Sequence, residues 1–192
     1  LASYRALGNY LWIRDTEAPL GLEELFKRQI WDVVEERKLR RNLPSLGLVR
    51  NAISSKVQKH YEENPYPRWL DTRINTKSQG VEDLLILLNL RSLSKNHQFQ
   101  SNPEILIAGC GTGQHALSVA SRFADSQVTA IDLSHSSLSY AKRRTNELGI
   151  TNINYIQGDI LDLVSLKSEF DIIECVGVIH PMEDPIAGWS AL

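Results

Sequence analysis

In the first half of the chain, apolar residues recur at helical intervals. Residues 22–41 place a row of apolar side chains on one helical face, with charged residues opposite: Leu22, Leu25, Phe26, Ile30, Val33 and Val34. A repeat at every fourth position predicts a second helix over about residues 46–62, and an apolar stretch predicts a third over residues 81–93. Pro65 and Pro67 must end the second helix, because proline lacks an amide hydrogen and favours extended backbone before it.

From residue 104 the pattern alternates between strand and helix. We predict strands over residues 104–108, 128–132, 153–157 and 170–176, and helices over residues 114–123 and 135–148. Ser134 is suited to cap the second of these helices and Gly149 to end it. Such alternation predicts an α/β fold, with a doubly wound, mostly parallel, Rossmann-like sheet preceded by a helical N-terminal region.

Composition and charge exclude several other classes. The 192 residues carry a formal net charge of -2, so nothing draws the chain in general to nucleic acid or to an anionic membrane. No apolar run is long enough for a membrane span, and two cysteines are too few for a disulfide framework. We therefore expect a cytoplasmic protein. Because the sequence starts with Leu and ends on "PIAGWSAL", we expect a fragment cut at both ends.

The stretch "ILIAGCGTGQHA" leads from the first strand into a helix through three glycines spaced two apart: Gly109, Gly111 and Gly113. In a doubly wound sheet, ligands bind where such strands end. A dinucleotide fingerprint would need a glycine where Gln114 stands, and a phosphate-binding Walker loop would need a lysine after the glycines. The spacing instead suits a compact ligand end that lies on the backbone without a diphosphate.

Acidic residues follow the next two strands. Asp132 comes roughly 20 residues after the last glycine, near the spacing at which a carboxylate meets ribose hydroxyls in nucleotide-binding folds. Asp159 follows the third strand, where Asp162 competes for the same role. Both positions also suit ordinary helix capping or turn chemistry. The spacing taken together favours a cofactor role for Asp132.

Four segments, in order, resemble the motifs of class I S-adenosylmethionine-dependent methyltransferases: "ILIAGCGTG", "VTAIDLS", "NINYIQGDILDL" and "FDIIECVGVIHPMEDP". The resemblance covers about residues 20–192. It is closer still to bacterial methyltransferase domains associated with tetratricopeptide repeats, in which a helical stretch and a segment like "YEENPYPRW" come first. It implies a helical region and linker over residues 1–69 and a methyltransferase domain over residues 70–192, incomplete at its C-terminus because the family fold has seven strands.

The resemblance also implies roles for single residues. The three glycines would lie against the methionine and ribose parts of S-adenosylmethionine, Asp132 would bind the ribose hydroxyls, and Asp159 would meet the adenine amino group. The remaining implied cofactor contacts are Cys110, Leu133, Gly158, Ile160 and Cys175. The implied reaction moves a methyl group from the sulfonium to an O, N or C atom of a small-molecule or protein acceptor. It needs no metal.

Two departures from the family pattern bear on catalysis. Ile107 stands where the family commonly has an acid that helps to hold the methionine amino group, and Pro181 follows His180 where many relatives have a second histidine. His180 is a candidate general base for an oxygen or nitrogen acceptor. It is equally suited to the turn before a helix that Pro181 would open. These departures keep open an alternative, a non-catalytic module that binds an adenosyl ligand or a protein.

The segment "YEENPYPRW" contains aromatic residues that admit two interpretations. Packing against the third helix is the commoner use of such side chains. A contribution from Tyr66, Arg68 or Trp69 to a lid over the cofactor is the other hypothesis, because an aromatic face attracts a sulfonium.

Overall fold

The computed structural model describes residues 6–71, 79–87, 102–123 and 125–192, apart from the side chains of residues 82, 85 and 87. The chain forms two compact units, residues 1–42 and residues 43–192. The predicted helix over residues 81–93 is confirmed only in its first part, α4 (Val81–Leu87), and its remainder lies outside the described residues.

The first unit is helical. Two short 3-10 turns, Leu7–Asn9 and Leu11–Ile13, precede α1 (Glu23–Phe26), which runs through a π-helical turn at Lys27–Trp31 into α2 (Asp32–Asn42). The single helix predicted over residues 22–41 is therefore one continuous helical run with a π turn inside it. Ile13, Phe26 and Ile30 form the core of this unit.

The second unit is built on a parallel sheet of four strands among the described residues. These are β1 (Glu104–Ala108), β2 (Gln127–Asp132), β3 (Ile153–Gln157) and β4 (Ile172–Cys175), in the order β3-β2-β1-β4. All three pairings are parallel, so each connection must cross over the sheet. The predicted Rossmann-like α/β fold is confirmed.

Successive residues of β1 supply the two faces of this sheet. Ile105 and Ile107 pack on one face against α4, α5 (Gln114–Arg122) and α6 (His135–Glu147). Leu106 and Ala108 pack on the other face with a 3-10 helix (Ile160–Leu166) and α7 (Pro185–Ala191). Because both faces are covered, the strand is apolar throughout instead of alternating with polar residues.

Residues 44–46 extend the sheet instead of starting the second helix. The Gln157 amide donates to the Pro44 carbonyl and the Leu46 amide donates to the Gln157 carbonyl, each at 2.8 Å. The helix, α3 (Ala52–Glu63), begins only after Asn51, whose side chain accepts hydrogen bonds from two amides of its first turn. The predicted start near residue 46 is wrong because these backbone groups are used by the edge of β3.

The helix after β4 also begins later than predicted. Asp184 caps α7, its Oδ1 accepting from the Ile186 and Ala187 amides at 3.0 Å, so Pro181 does not open a helix. The predicted division between residues 69 and 70 stays a prediction, although α3 belongs to the same compact unit as the sheet. Within the described ranges, no helix has the length and apolar character needed to cross a membrane.

Candidate functional site

A cavity of about 630 Å³ lies where the strands of the second unit end. One part of its wall comes from the segments that follow the strands, including Gly109, Gly111, Asp132, Asp159 and the stretch from Val176 to Val178. Its remaining walls come from α3, from Tyr66 and from residues 181–184. A cavity at the carboxyl edge of a doubly wound sheet is the ordinary place for a ligand in this architecture.

The glycine-rich loop, residues 109–113, is held against the end of β2. The amides of Gly109 and Cys110 both donate to the Ile131 carbonyl, at 2.8 and 2.9 Å. The Gly111 amide donates to Oδ2 of Asp132 at 2.8 Å. The loop therefore depends on the same carboxylate that the sequence singles out as a ligand-binding group.

Gly111 and Gly113 both require positive φ, at 54° and 82°, but they face different surroundings. A Cβ on Gly111 would meet no atom within 4 Å, and this residue lines the cavity. A Cβ on Gly113 would lie 2.5 Å from Cβ of Ala141 and 3.0 Å from the Tyr155 hydroxyl. Gly111 thus leaves room at the cavity surface, whereas Gly113 lets the start of α5 approach α6.

Asp132 forms part of the cavity wall and is closely surrounded by protein. Its Oδ1 accepts from the Ser134 amide at 2.9 Å, and its Oδ2 accepts from Gly111. Burial raises the pKa of Asp132, and the hydrogen bonds from the backbone oppose this rise. A carboxylate offers about four acceptor positions, so both oxygens keep capacity for hydroxyl donors in the cavity.

Asp159 also forms part of the cavity wall and is 5% exposed. Its Oδ1 accepts from the Leu161 amide at 3.1 Å, so it caps the 3-10 helix that follows β3. Gly158 precedes it and packs closely on Leu46, since a Cβ there would lie 2.7 Å from Cδ1 of that leucine. Asp159 therefore serves the turn and also faces the cavity, so the two roles considered from the sequence are compatible.

The structure brings together most of the implied cofactor contacts and leaves others outside the cavity. The residues that line it are Gly109, Gly111, Asp132, Leu133, Gly158, Asp159 and Ile160. Those outside its wall are Cys110, Gly113 and Cys175, together with the candidate base His180, which is exposed. Cys110 and Cys175 are free thiols whose pKa values are raised by burial, as expected for small packed side chains.

Ile107 is buried in the core at 2% exposure, and an acidic residue stands beside it on the next strand. Glu174 of β4 is in register with Ile107, and its Oε2 lies 2.6 Å from Nε2 of His115 at the start of α5. The hydrogen bond with His115 lowers the pKa of Glu174. Neither side chain lines the cavity, so this pair ties α5 to β4.

Sequence reasoning missed the wall that α3 contributes. Ile53, Val57 and Tyr61 line the cavity together with Lys56 and His60. The four-residue repeat that predicted the helix also marked this face, but it carried no sign that the face covers a ligand site instead of a core. Tyr66, one of the three residues of the lid hypothesis, lines the cavity as well, whereas Trp69 is buried in the core.

Residues 105–189 match the family described as a methyltransferase domain. This stretch is therefore similar to methyltransferase domains, and its parallel sheet has the Rossmann-like arrangement described above. An uncharacterised protein of Synechococcus sp. is 42% identical over 91 residues, which are 47% of this chain and 22% of that protein. A malonyl-[acyl-carrier protein] O-methyltransferase of Acetivibrio thermocellus is 28% identical over 61% of this chain and 37% of that enzyme.

A similar solved structure comes from work on the conversion of a disulfide bond into a thioacetal group during echinomycin biosynthesis. Its sequence is 26% identical, and the alignment covers 72% of this chain and 52% of the solved chain with a TM-score of 0.48. The chain spans only 22% of the length of the Synechococcus protein and 37% of the length of the Acetivibrio enzyme.

Proposed function

We propose that this chain carries the cofactor-binding part of an S-adenosylmethionine-dependent methyltransferase. The observation that supports it best is the pairing of Asp132 with the glycine-rich loop at the cavity wall, where the carboxylate accepts from the Gly111 amide at 2.8 Å. This arrangement offers hydroxyl-binding oxygens next to backbone that a ligand can approach closely. The match of residues 105–189 to a methyltransferase domain supports the same cofactor.

The described residues fit the parts of this cofactor. Asp132 would accept from the ribose hydroxyls, and Asp159 would face the adenine. The open space before Gly111 leaves room for the methionine part against the backbone. In the described part of the chain no group of three His, Cys, Asp or Glu side chains is arranged to hold a metal ion, and the proposal does not require one.

The bound cofactor supplies a methyl group activated on a sulfonium. The residues of this chain contribute by holding the reactants in place and by keeping water out, which together supply much of the acceleration of a displacement reaction. Tyr61 and Tyr66 line the cavity, and an aromatic face stabilises a nearby cation. Val176 and Val178 line the wall that follows β4 and make it apolar.

Several finer assignments belong to the same proposal. The acceptor is an O, N or C atom of a small molecule or a protein, and the protein acts in the cytoplasm, with which the two free thiols agree. Similarity to domains associated with tetratricopeptide repeats is supported by the segment over residues 61–69. A base role for His180 requires that the acceptor reach an exposed side chain outside the cavity wall.

A non-catalytic module that binds an adenosyl ligand is the second candidate, because His180 is not among the residues that line the cavity and Ile107 supplies no carboxylate. Both candidates predict binding of S-adenosylhomocysteine, so transfer separates them. Isothermal titration with S-adenosylhomocysteine and, in parallel, with NADH tests the cofactor. Transfer of a labelled methyl group from S-adenosylmethionine in a panel of acceptors tests the reaction. Binding of NADH without S-adenosylhomocysteine would contradict the proposal.

A further inference from the structure

Residues 64–70, which we term the strap, connect α3 to the rest of the second unit and are anchored on α6. Trp69 is 7% exposed, and its ring packs edge-on against Tyr140 with ring centroids 5.7 Å apart. The Tyr140 hydroxyl donates to the Trp69 carbonyl. Arg144 lies over the Trp69 ring at 4.9 Å and donates through Nη2 to the Leu70 carbonyl at 2.8 Å. The strap is thus fixed to α6 by both its side chain and its backbone.

The same strap makes two reciprocal hydrogen bonds to the glycine-rich loop. Nε1 of Trp69 donates to the Thr112 carbonyl at 2.9 Å. Oγ1 of Thr112 donates to the Pro67 carbonyl at 2.6 Å. Thr112 is 2% exposed, so neither bond is exchanged readily for water. Packing alone would fix the position of the indole ring, but these bonds also fix the orientation of the loop peptide.

The loop is therefore held from two sides. On one side, the end of β2 binds it through the Ile131 carbonyl and the Asp132 carboxylate. On the other side, the strap binds Thr112, the residue directly after Gly111. The Thr112 carbonyl belongs to the second peptide after the one whose amide, that of Gly111, donates to Asp132 at 2.8 Å, so the strap restrains the backbone that directly follows this bond.

We infer that Trp69 and Thr112 are positioning residues of the cofactor site, which hold the glycine-rich loop in its binding geometry through the strap. This inference rests on the proposed function, since it concerns the same cavity. It assigns a role to the segment "YPRW" that neither core packing nor a lid accounts for. Tyr66 of the strap lines the cavity, so the same segment contacts both the ligand space and the loop.

The test is the affinity for S-adenosylhomocysteine of Thr112→Val, which keeps the shape of the side chain and removes its hydroxyl donor. We expect binding weaker by about 3- to 10-fold, the effect of losing one buried hydrogen bond. Thr112→Ser keeps the hydroxyl and should restore wild-type affinity. Ser126→Ala removes a matched buried bond, from Oγ to the Phe123 carbonyl at 2.6 Å, far from the loop, and should leave the affinity unchanged.

A second variant and a second measurement keep the test decisive. Trp69→Phe removes the Nε1 donor while keeping an aromatic ring, and should weaken binding to a similar extent. Amide hydrogen exchange at Gly111 should quicken in both variants, without any ligand present. Wild-type affinity and exchange in folded Thr112→Val and Trp69→Phe would overturn the inference alone. Failure of the wild-type protein to bind S-adenosylhomocysteine would overturn the proposed function and the inference with it.

Discussion

Replacing Asp132 with asparagine tests the centre of the proposed site with almost no change in shape. The carboxylate accepts from the Gly111 amide at 2.8 Å and from the Ser134 amide at 2.9 Å. Asparagine has one oxygen and one NH₂ group, so it can keep only one of these two bonds. The substitution also removes a negative charge from a place where burial raises the pKa of the acid.

The lost hydrogen bond and the lost charge have opposite effects on stability, whereas both weaken the binding of the ligand. Losing a backbone bond costs about 1–3 kcal/mol, but removing a desolvated charge recovers part of that cost. We therefore expect the free energy of unfolding to change by no more than about 2 kcal/mol. A hydrogen bond from a ribose hydroxyl to a charged acceptor is stronger than one to a neutral acceptor by roughly 1 kcal/mol. The loss of two such bonds should therefore weaken binding by about 10- to 100-fold.

Isothermal titration with S-adenosylhomocysteine near neutral pH measures this effect, and a thermal unfolding curve shows whether the variant is folded. Asp162→Asn is the matched control, because this residue follows the same edge of the sheet and lies outside the cavity wall. Its affinity should equal that of the wild-type protein. A folded Asp132→Asn variant that binds within about threefold of wild type would refute the role of Asp132 in cofactor binding.

Three further predictions concern pH, the glycines and His180. Burial raises the pKa of Asp132 in the native state above its ordinary value of 3.8. At a pH above the raised pKa, the ionised carboxylate therefore lowers the free energy of unfolding. This cost should disappear as the pH falls through that pKa, so urea unfolding from about pH 7 to pH 4 should show a pH-dependent step that Asp132→Asn lacks. Gly113→Ala should lose about 2–5 kcal/mol of stability in urea unfolding through strain and its clash with Ala141. Gly111→Ala should lose only about 1–2 kcal/mol of stability, but it should weaken the binding of S-adenosylhomocysteine measured by titration. Equal losses of stability and equal losses of affinity in the two variants would contradict the separate roles of Gly111 and Gly113. His180→Ala should leave that affinity unchanged and slow transfer to an acceptor with a proton to lose, whereas a loss of binding would place His180 in the site.

Local sequence patterns were enough to predict the four described strands of the sheet, two of them with their exact bounds. The strands β1 and β3 begin and end where their apolar runs predict, because a buried parallel strand leaves a continuous apolar signal. Ser134 caps α6 as expected, since its Oγ accepts from the Ser137 amide three residues ahead at 3.0 Å. These features depend on residues close together in the chain, and local patterns suffice to predict them.

Helix starts were less predictable, because distant groups compete for the same backbone. Leu46 carries a helical pattern, yet its amide bonds to the Gln157 carbonyl in β3. Pro181 is a favourable first residue for a helix, but α7 begins four positions later, at Pro185, where Asp184 caps it. In both places the sequence signal was present, and a contact or a better cap elsewhere determined the result.

The completion of the site depends on tertiary contacts that no local pattern predicts. The bond from Trp69 to Thr112 joins residues 43 positions apart, and no periodicity links them. The face of α3 lines a cavity and His180 lies outside the cavity wall, although the sequence marks both with ordinary helical and turn patterns. Such contacts depend on which surfaces meet when the sheet is covered. The sequence therefore determined which loops could bind a ligand, and the packing around them determined which side chains face it.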